Sequence, residues 1–187
     1  MHAARWTPGG VAAILVLTLL AAQLPAQAPA AAAKQRRPTA DEVSRQYLPR
    51  HPKPRDEAEK RIVAVMDEMH ANQSRGMGNV SPEDGRVLRL LAETLGAKHV
   101  VEVGTANGYS AMWFCLALRS TGGKLTTHEI DPRRIALATE NFRQAGVGQL
   151  VTLVEGDAHQ TIHKLTGPID LVLLDAEKEG FTDYLAK

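Results

Sequence analysis

The sequence predicts an α/β protein with a parallel β-sheet. Four short apolar runs have the character of strands, segments of helical periodicity separate the first three, and each run ends at an acidic or glycine-bearing turn. Strands that alternate with helices in this way are typical of βαβ units. The predicted strands are residues 99–103, 124–130, 150–154 and 169–174. The helices between them are predicted at residues 111–118 and 133–145.

The composition is that of a globular protein. Of the 187 residues, 44% are hydrophobic and 23% are charged. A net charge of +1 lacks the basic surplus of nucleic-acid-binding proteins, so we expect no nucleic-acid partner. Cys115 is the only cysteine, which excludes a disulfide within the chain.

Residues 1–30 are predicted to be a signal peptide. Arg5 precedes an apolar run at residues 11–22, and small residues with two prolines follow. The run is shorter than the ~20 residues of a membrane span, but an uncleaved signal anchor is the alternative. We therefore expect a protein that is exported, to the periplasm or the medium, or that is anchored by this segment. No other membrane contact is expected from the folded part.

Residues 31–55 are predicted to be a linker. Prolines at this density deny helical hydrogen bonds and favour extended chain. The basic residues of the segment form either a solvated tether, which is favoured, or a contact with anionic lipid. The folded domain is then predicted to span residues 56–187. The four prolines are Pro38, Pro49, Pro52 and Pro54.

Two helices are predicted before the first strand. Residues 56–70 carry apolar side chains at spacings of three and four. The second helix starts at Ser81, which can cap it, with Pro82 in the first turn and Asp84 three residues after the cap. This helix is predicted to end at Gly96.

A carboxylate follows or ends each of the four predicted strands. Because ligands bind at the carboxyl ends of the strands in such sheets, we expect these groups to meet at one rim and to form a site. The four residues are Glu102, Glu129, Asp157 and Asp175.

The turn after the first strand carries glycines at Gly104 and Gly108. Glycine lets the backbone approach a ligand closely. The spacing is GxxxG, whereas a dinucleotide fold uses GxGxxG to bring amides against a pyrophosphate. The turn therefore favours a cofactor without phosphate, and a nicotinamide-dependent oxidoreductase is the weaker alternative.

Two of the strand-end carboxylates have specific candidate roles. Glu129 can accept hydrogen bonds from both hydroxyls of a ribose, or it is an exposed carboxylate in a turn. Asp157 can accept from an adenine amino group, or it caps a helix that starts at Ala158. Acidic residues in order on three successive strands indicate a ligand site more specifically than any one of them does alone.

Four segments together resemble the class I S-adenosylmethionine-dependent O-methyltransferases of the catechol and caffeoyl-CoA type. They are EVGTANGYSA, THEIDPRR, VTLVEGDA and IDLVLLDAEKEGFTDYL, and the match runs from Met77 to Tyr184. The resemblance implies a Rossmann-like fold with a parallel sheet and helices on both faces. Since the family sheet has seven strands, we expect that only about the N-terminal four are present and that the C-terminal part is missing.

The resemblance also implies a set of S-adenosylmethionine-binding residues. In it, Ser110 would bind the methionine carboxylate, and Ile130 would lie against the adenine. The implied cofactor-binding residues are Asn79, Val80, Glu102, Gly104, Gly108, Ser110, Glu129, Ile130, Asp157 and Ala158.

Two further residues acquire catalytic roles through the same resemblance. Asp175 matches a metal ligand of the metal-dependent members, and an oxygen ligand suits Mg²⁺ or Ca²⁺. Lys178 matches the general base that takes the proton of the acceptor hydroxyl. On the residues alone, Lys178 is a surface lysine in a charged run. The two other family metal ligands would follow Lys187.

The favoured function is O-methylation of a small, catechol-like hydroxylated acceptor with S-adenosylmethionine as methyl donor. A non-catalytic, truncated cofactor-binding remnant is the alternative, and a nicotinamide-dependent oxidoreductase is less favoured. Because related enzymes often pair, a homodimer is also expected.

Overall fold

A computed structural model describes Thr39 and residues 50–186. The predicted signal peptide, most of the predicted linker and Lys187 lie outside the described residues. Within the part that is described, no helix is long and apolar enough to cross a membrane.

The described chain is an α/β structure, as predicted. Two helices come first, α1 (Glu57–Asn72) and α2 (Pro82–Thr94). Strands and helices then alternate as β1 (His99–Val103), α3 (Tyr109–Thr121), β2 (Lys124–Glu129), α4 (Pro132–Ala145), β3 (Val151–Glu155), α5 (Ala158–Thr161), β4 (Leu171–Leu174) and α6 (Phe181–Ala186). All four predicted strands are present. Helix α5 is the helix from Ala158 that the sequence left open as an alternative for Asp157, whereas α6 is an addition that the sequence did not predict.

Helices α1 and α2 begin at residues whose side chains satisfy free backbone amides. The Asp56 carboxylate accepts the amide of Glu59 at 2.8 Å. The Ser81 hydroxyl accepts the amide of Asp84 at 3.0 Å, which confirms the predicted cap. Such caps fix where a helix starts because the first amides have no partner within the helix.

The four strands form one parallel sheet in the order β3-β2-β1-β4. Successive side chains of a strand point to opposite faces, and the strands accordingly contribute side chains to two separate apolar cores. Val100 joins the larger core, with α1 to α4, whereas Val103 joins the smaller core, with α5 and α6. Helices therefore cover both faces, as the resemblance implied.

Helix α3 is the centre of the larger core. Every residue from Tyr109 to Leu118 is buried, because α3 packs against the sheet and against α1 and α2. The indole of Trp113 lies against Gly85 of α2, where a Cβ atom would stand 2.2 Å from Nε1 of the ring. The contact between α2 and α3 therefore depends on a residue without a side chain.

A buried carboxyl joins β1, β2 and α3 beneath the turn that follows β1. Glu102 is fully buried, and the hydroxyls of Ser110 and Thr127 each donate to it at 2.6 Å. The hydroxyl of Thr105 lies 2.6 Å from that of Thr127 and extends the network into the turn. Burial raises the pKa of Glu102 to about 7.

The Gly85–Trp113 contact predicts that Gly85→Ala destabilises the protein, although alanine is the better helix former. Overpacking a core costs about 1–3 kcal/mol. The gain in helix propensity is at most ~1 kcal/mol. We expect the free energy of unfolding in urea to fall by about 1–2 kcal/mol. Gly148→Ala is the control, because no atom lies within 4 Å of its added methyl; equal stabilities of the two variants would contradict the packing argument.

Glu102 predicts a pH dependence of stability. A carboxyl whose pKa is raised in the folded state binds its proton more tightly there than in the unfolded chain, so stability falls as pH rises from about 4.5 towards 7 and then levels off. Relative to Glu102→Gln, the wild type should lose about 2–3 kcal/mol between pH 5 and pH 8. Urea unfolding of both proteins at the two pH values measures this, and the other titrating groups cancel in the difference. A constant difference would show that Glu102 is ionised throughout.

Candidate functional site

A cavity lies where the strand order of the sheet changes direction. β1 is followed in sequence by β2 on one side, while the later β4 lies on its other side. In open α/β sheets, ligands bind at the carboxyl ends of the strands beside this reversal. The empty space of the cavity, counted together with its open mouth, is about 460 Å³. Six predicted site residues line it: Asn79, Val80, Gly104, Ser110, Glu129 and Asp175.

The two glycines of the turn after β1 are required by contacts within the protein. Gly104 has a φ of +103°, and a Cβ atom there would stand 2.3 Å from the carbonyl oxygen of Asp175. Gly108 has a φ of +88°, and a Cβ atom would meet the Phe142 ring at 2.7 Å. These glycines therefore let β4 and α4 pack against the turn, and Gly104 also lines the cavity. Their predicted role in the approach of a ligand stays a prediction.

Glu129 is held rigidly at the edge of the cavity. Its carboxylate accepts the amide of Ala106 at 2.7 Å and the amides of Ile130 and Asp131 at 2.9 and 3.0 Å. Ala106 has a φ of +49°, which is uncommon for a residue with a side chain and concentrates at functional sites. An ionised carboxylate has about four acceptor positions, so Glu129 retains capacity for a ligand hydroxyl.

Asn79 lines the cavity and has a side-chain amide without a hydrogen-bond partner among the described residues. Both its Nδ2 and its Oδ1 are buried, and neither has a hydrogen-bond partner among the described residues. Buried polar atoms are almost always paired in folded proteins. An unpaired amide on a residue of the cavity lining is therefore a candidate partner for a polar ligand, and this observation is consistent with the cofactor that the resemblance implies.

Asp175 follows β4 and provides a carboxyl at the cavity wall. Burial raises the pKa of this group above its ordinary value. Across residues 50–186, no group of three or more His, Cys, Asp or Glu side chains is arranged to hold a metal ion. The described residues therefore do not form a complete cation site.

Several predicted site residues do not line the cavity, and their roles stay predictions. Glu102 lies beneath the turn, and the hydroxyl of Ser110 donates to it. Asp157 caps α5 by accepting the amide of His159 at 2.9 Å, which is the alternative that the sequence left open. Lys178 is exposed at the start of a short 3-10 turn. The predicted residues outside the cavity lining are Glu102, Gly108, Ile130, Asp157, Ala158 and Lys178.

The cavity also has lining residues that the sequence analysis missed. Most are neighbours of predicted ones, so a wider window around each motif would have included them. Arg134 ends one of the quoted segments, THEIDPRR, but it stands in a run of charged residues at the start of α4 in which no spacing singles it out. The additional lining residues are 77–78, 105–107, Tyr109 and Arg134.

Known proteins similar to this chain include O-methyltransferases from several organisms. It is 38% identical over 110 residues to a catechol O-methyltransferase of Niastella koreensis, an alignment that covers 57% of this chain and 49% of that protein. Its structure resembles the methyltransferase PaMTH1 of Podospora anserina, solved with bound SAH, with a TM-score of 0.69, 29% identity, and coverage of 87% of this chain and 66% of that one.

A second solved structure is the O-methyltransferase TomG of Streptomyces achromogenes, in complex with SAM. Its TM-score is 0.57 and its identity 31%, with coverage of 77% of this chain and 64% of that one. The chain spans about half the length of the curated relatives it matches. A family model described as O-methyltransferase matches residues 55–187, and the chain therefore belongs to the O-methyltransferase family.

Proposed function

We propose that the protein binds S-adenosylmethionine in the cavity between β1 and β4 and transfers its methyl group to a hydroxyl of a small, catechol-like acceptor. The observation that carries the proposal is that two residues suited to a polar ligand line the same cavity. They are Glu129, whose carboxylate is fixed by backbone amides, and Asn79, whose amide has no hydrogen-bond partner in the described part of the chain. Relatives with the same fold bind this cofactor or its product, and one is named for catechol.

The cavity residues offer a complementary group to each part of the cofactor. Glu129 would accept the ribose hydroxyls while it keeps its backbone amides. The first turn of α3, from Tyr109, presents the positive end of a 13-residue helix to the cavity and suits the methionine carboxylate. Asn79 would pair with the polar groups that remain, and Ile130, which is 65% exposed beside Glu129, is free to cover the adenine.

Methyl transfer is an in-line displacement in which the acceptor oxygen attacks the methyl carbon of the sulfonium and the thioether leaves. The protein has to align the two reactants and to remove one proton from the acceptor hydroxyl. We propose Lys178 for the proton. Lys178 follows Asp175, which lines the cavity, by three residues, and its exposed side chain would have to turn inward over the acceptor.

A divalent cation would lower the pKa of the acceptor hydroxyl and hold its oxygen. We propose Asp175 as the one ligand that the described residues contribute at this position. Because the described part of the chain supplies no set of ligands around it, no catalytic step is derived through the ion.

Glu129→Gln tests the cofactor assignment. Loss of the charged acceptor should weaken binding of S-adenosylhomocysteine at least tenfold in calorimetric titration, since a hydrogen bond to a charged group contributes about 1.5–3 kcal/mol. Glu155→Gln is the matched control, because Glu155 ends the neighbouring strand in direct register with Glu129 and is exposed. Equal affinities of the two variants for S-adenosylhomocysteine would show that Glu129 does not bind the cofactor.

Lys178→Met tests the proposed base. Transfer of a labelled methyl group from S-adenosylmethionine to catechol should slow by at least ~100-fold, the usual contribution of general base catalysis. Affinity for S-adenosylhomocysteine should stay within about threefold, because Lys178 does not line the cavity. Lys164→Met, at another exposed lysine, is the control. If wild type binds the cofactor but methylates no hydroxylated aromatic, the chain is a cofactor-binding module without this activity.

A further inference from the structure

His51 is a buried histidine in the segment that precedes α1. It lies four residues before the part of the chain that the family model matches, and its exposed fraction is only 6%. Its Nδ1 lies 2.8 Å from Oδ1 of Asp67 on α1, and its Nε2 lies 2.7 Å from the hydroxyl of Tyr109 on α3. The imidazole also packs against the Trp113 ring, with 5.7 Å between ring centroids.

The Asp67 carboxylate and the charge state of the ring together determine where the protons of this contact lie. The Asp67 carboxylate only accepts, so Nδ1 of His51 carries the hydrogen that it donates. Burial lowers the pKa of His51, which favours the neutral imidazole. In the neutral ring Nε2 is the free acceptor and receives the hydroxyl hydrogen of Tyr109.

Tyr109 connects this contact to the cofactor cavity. It is the first residue of α3, it directly follows Gly108, and it lines the cavity next to Ser110. The ring of Tyr109 is buried, and its hydroxyl forms a hydrogen bond with His51 inside the protein. A second contact holds the segment that bears His51. The Arg86 guanidinium donates a hydrogen bond to the carbonyl oxygen of Arg50 at 3.2 Å.

We propose that His51 is a positioning residue for the cofactor: it fixes Tyr109, and through it the turn at residues 104–110, in the geometry that binds S-adenosylmethionine. Cofactor affinity then depends on a segment of chain that precedes the first helix and the matched family region. This proposal rests on the proposed function. A purely structural His51 would affect stability and leave the affinity of the cavity for its cofactor unchanged.

Two substitutions of His51 separate its two contacts. In His51→Asn the amide replaces Nδ1, which keeps the bond to Asp67 and removes the bond to Tyr109. In His51→Gln the longer side chain reaches the position of Nε2 and keeps an acceptor for the Tyr109 hydroxyl. Calorimetric titration with S-adenosylhomocysteine should show about fivefold weaker binding for H51N and binding within twofold of wild type for H51Q.

Tyr109→Phe provides an independent check, because it removes the same hydrogen bond from the other side. It should weaken binding as much as H51N, and the double variant should bind no more weakly than either single one. Additive losses would show that the two residues act separately and would overturn the proposal.

Hydrogen exchange in the protein without ligand tests separately whether His51 positions the turn. If wild type does not bind S-adenosylhomocysteine, the proposed function fails, but the exchange rates still show whether His51 holds residues 104–110 in place. In H51N, the amides of residues 105–112 should exchange at least tenfold faster than in wild type, while those of β3 keep their rates. His163→Asn, at an exposed histidine, is the control and should change neither region. Equal acceleration throughout the chain, or unchanged rates in residues 105–112, would show that His51 does not position the turn.

Discussion

The close approach of Gly104 to the carbonyl of Asp175 sets the geometry of the cavity. With a φ of +103° and no room for a Cβ atom, the chain after β1 turns directly against the end of β4. The two strands are neighbours in the sheet although about 70 residues separate them in sequence. The chain leaves β1 towards the face covered by α3 and leaves β4 towards the face covered by α6, and a crevice lies where neighbouring connections diverge in this way. The turn that follows β1 reaches Glu129 on β2 through the amide of Ala106.

Buried carboxyls hold that turn from two sides. Glu102 binds the hydroxyls of Ser110 and Thr127 from below, and Glu129 binds the amide of Ala106 from the edge. A carboxyl in an apolar interior is costly unless it is hydrogen-bonded or protonated. The raised pKa of Glu102 shows that cost, whereas the three backbone amides on Glu129 offset it. The cavity is thus shaped by polar groups that the protein satisfies before any ligand arrives.

The sequence predicted the strands, the first four helices and the cap at Ser81, because these follow from periodicity and local hydrogen bonding. It also predicted six residues of the cavity, because strand ends in a parallel sheet meet at one edge. It left α5 open as an alternative at Asp157 and did not predict α6, because both helices are too short to show a period. The contact of His51 with Tyr109 also escaped it, since 58 residues separate them and no local pattern links them.

The central claim is that S-adenosylmethionine binds at the crevice between β1 and β4. The most direct measurement is the change of backbone amide chemical shifts when the cofactor is added to the ¹⁵N-labelled full chain. We expect the large changes to lie at residues 77–80, 104–110, 129–131 and 175–176. Changes centred on another surface, or none at a millimolar concentration of cofactor, would contradict the account.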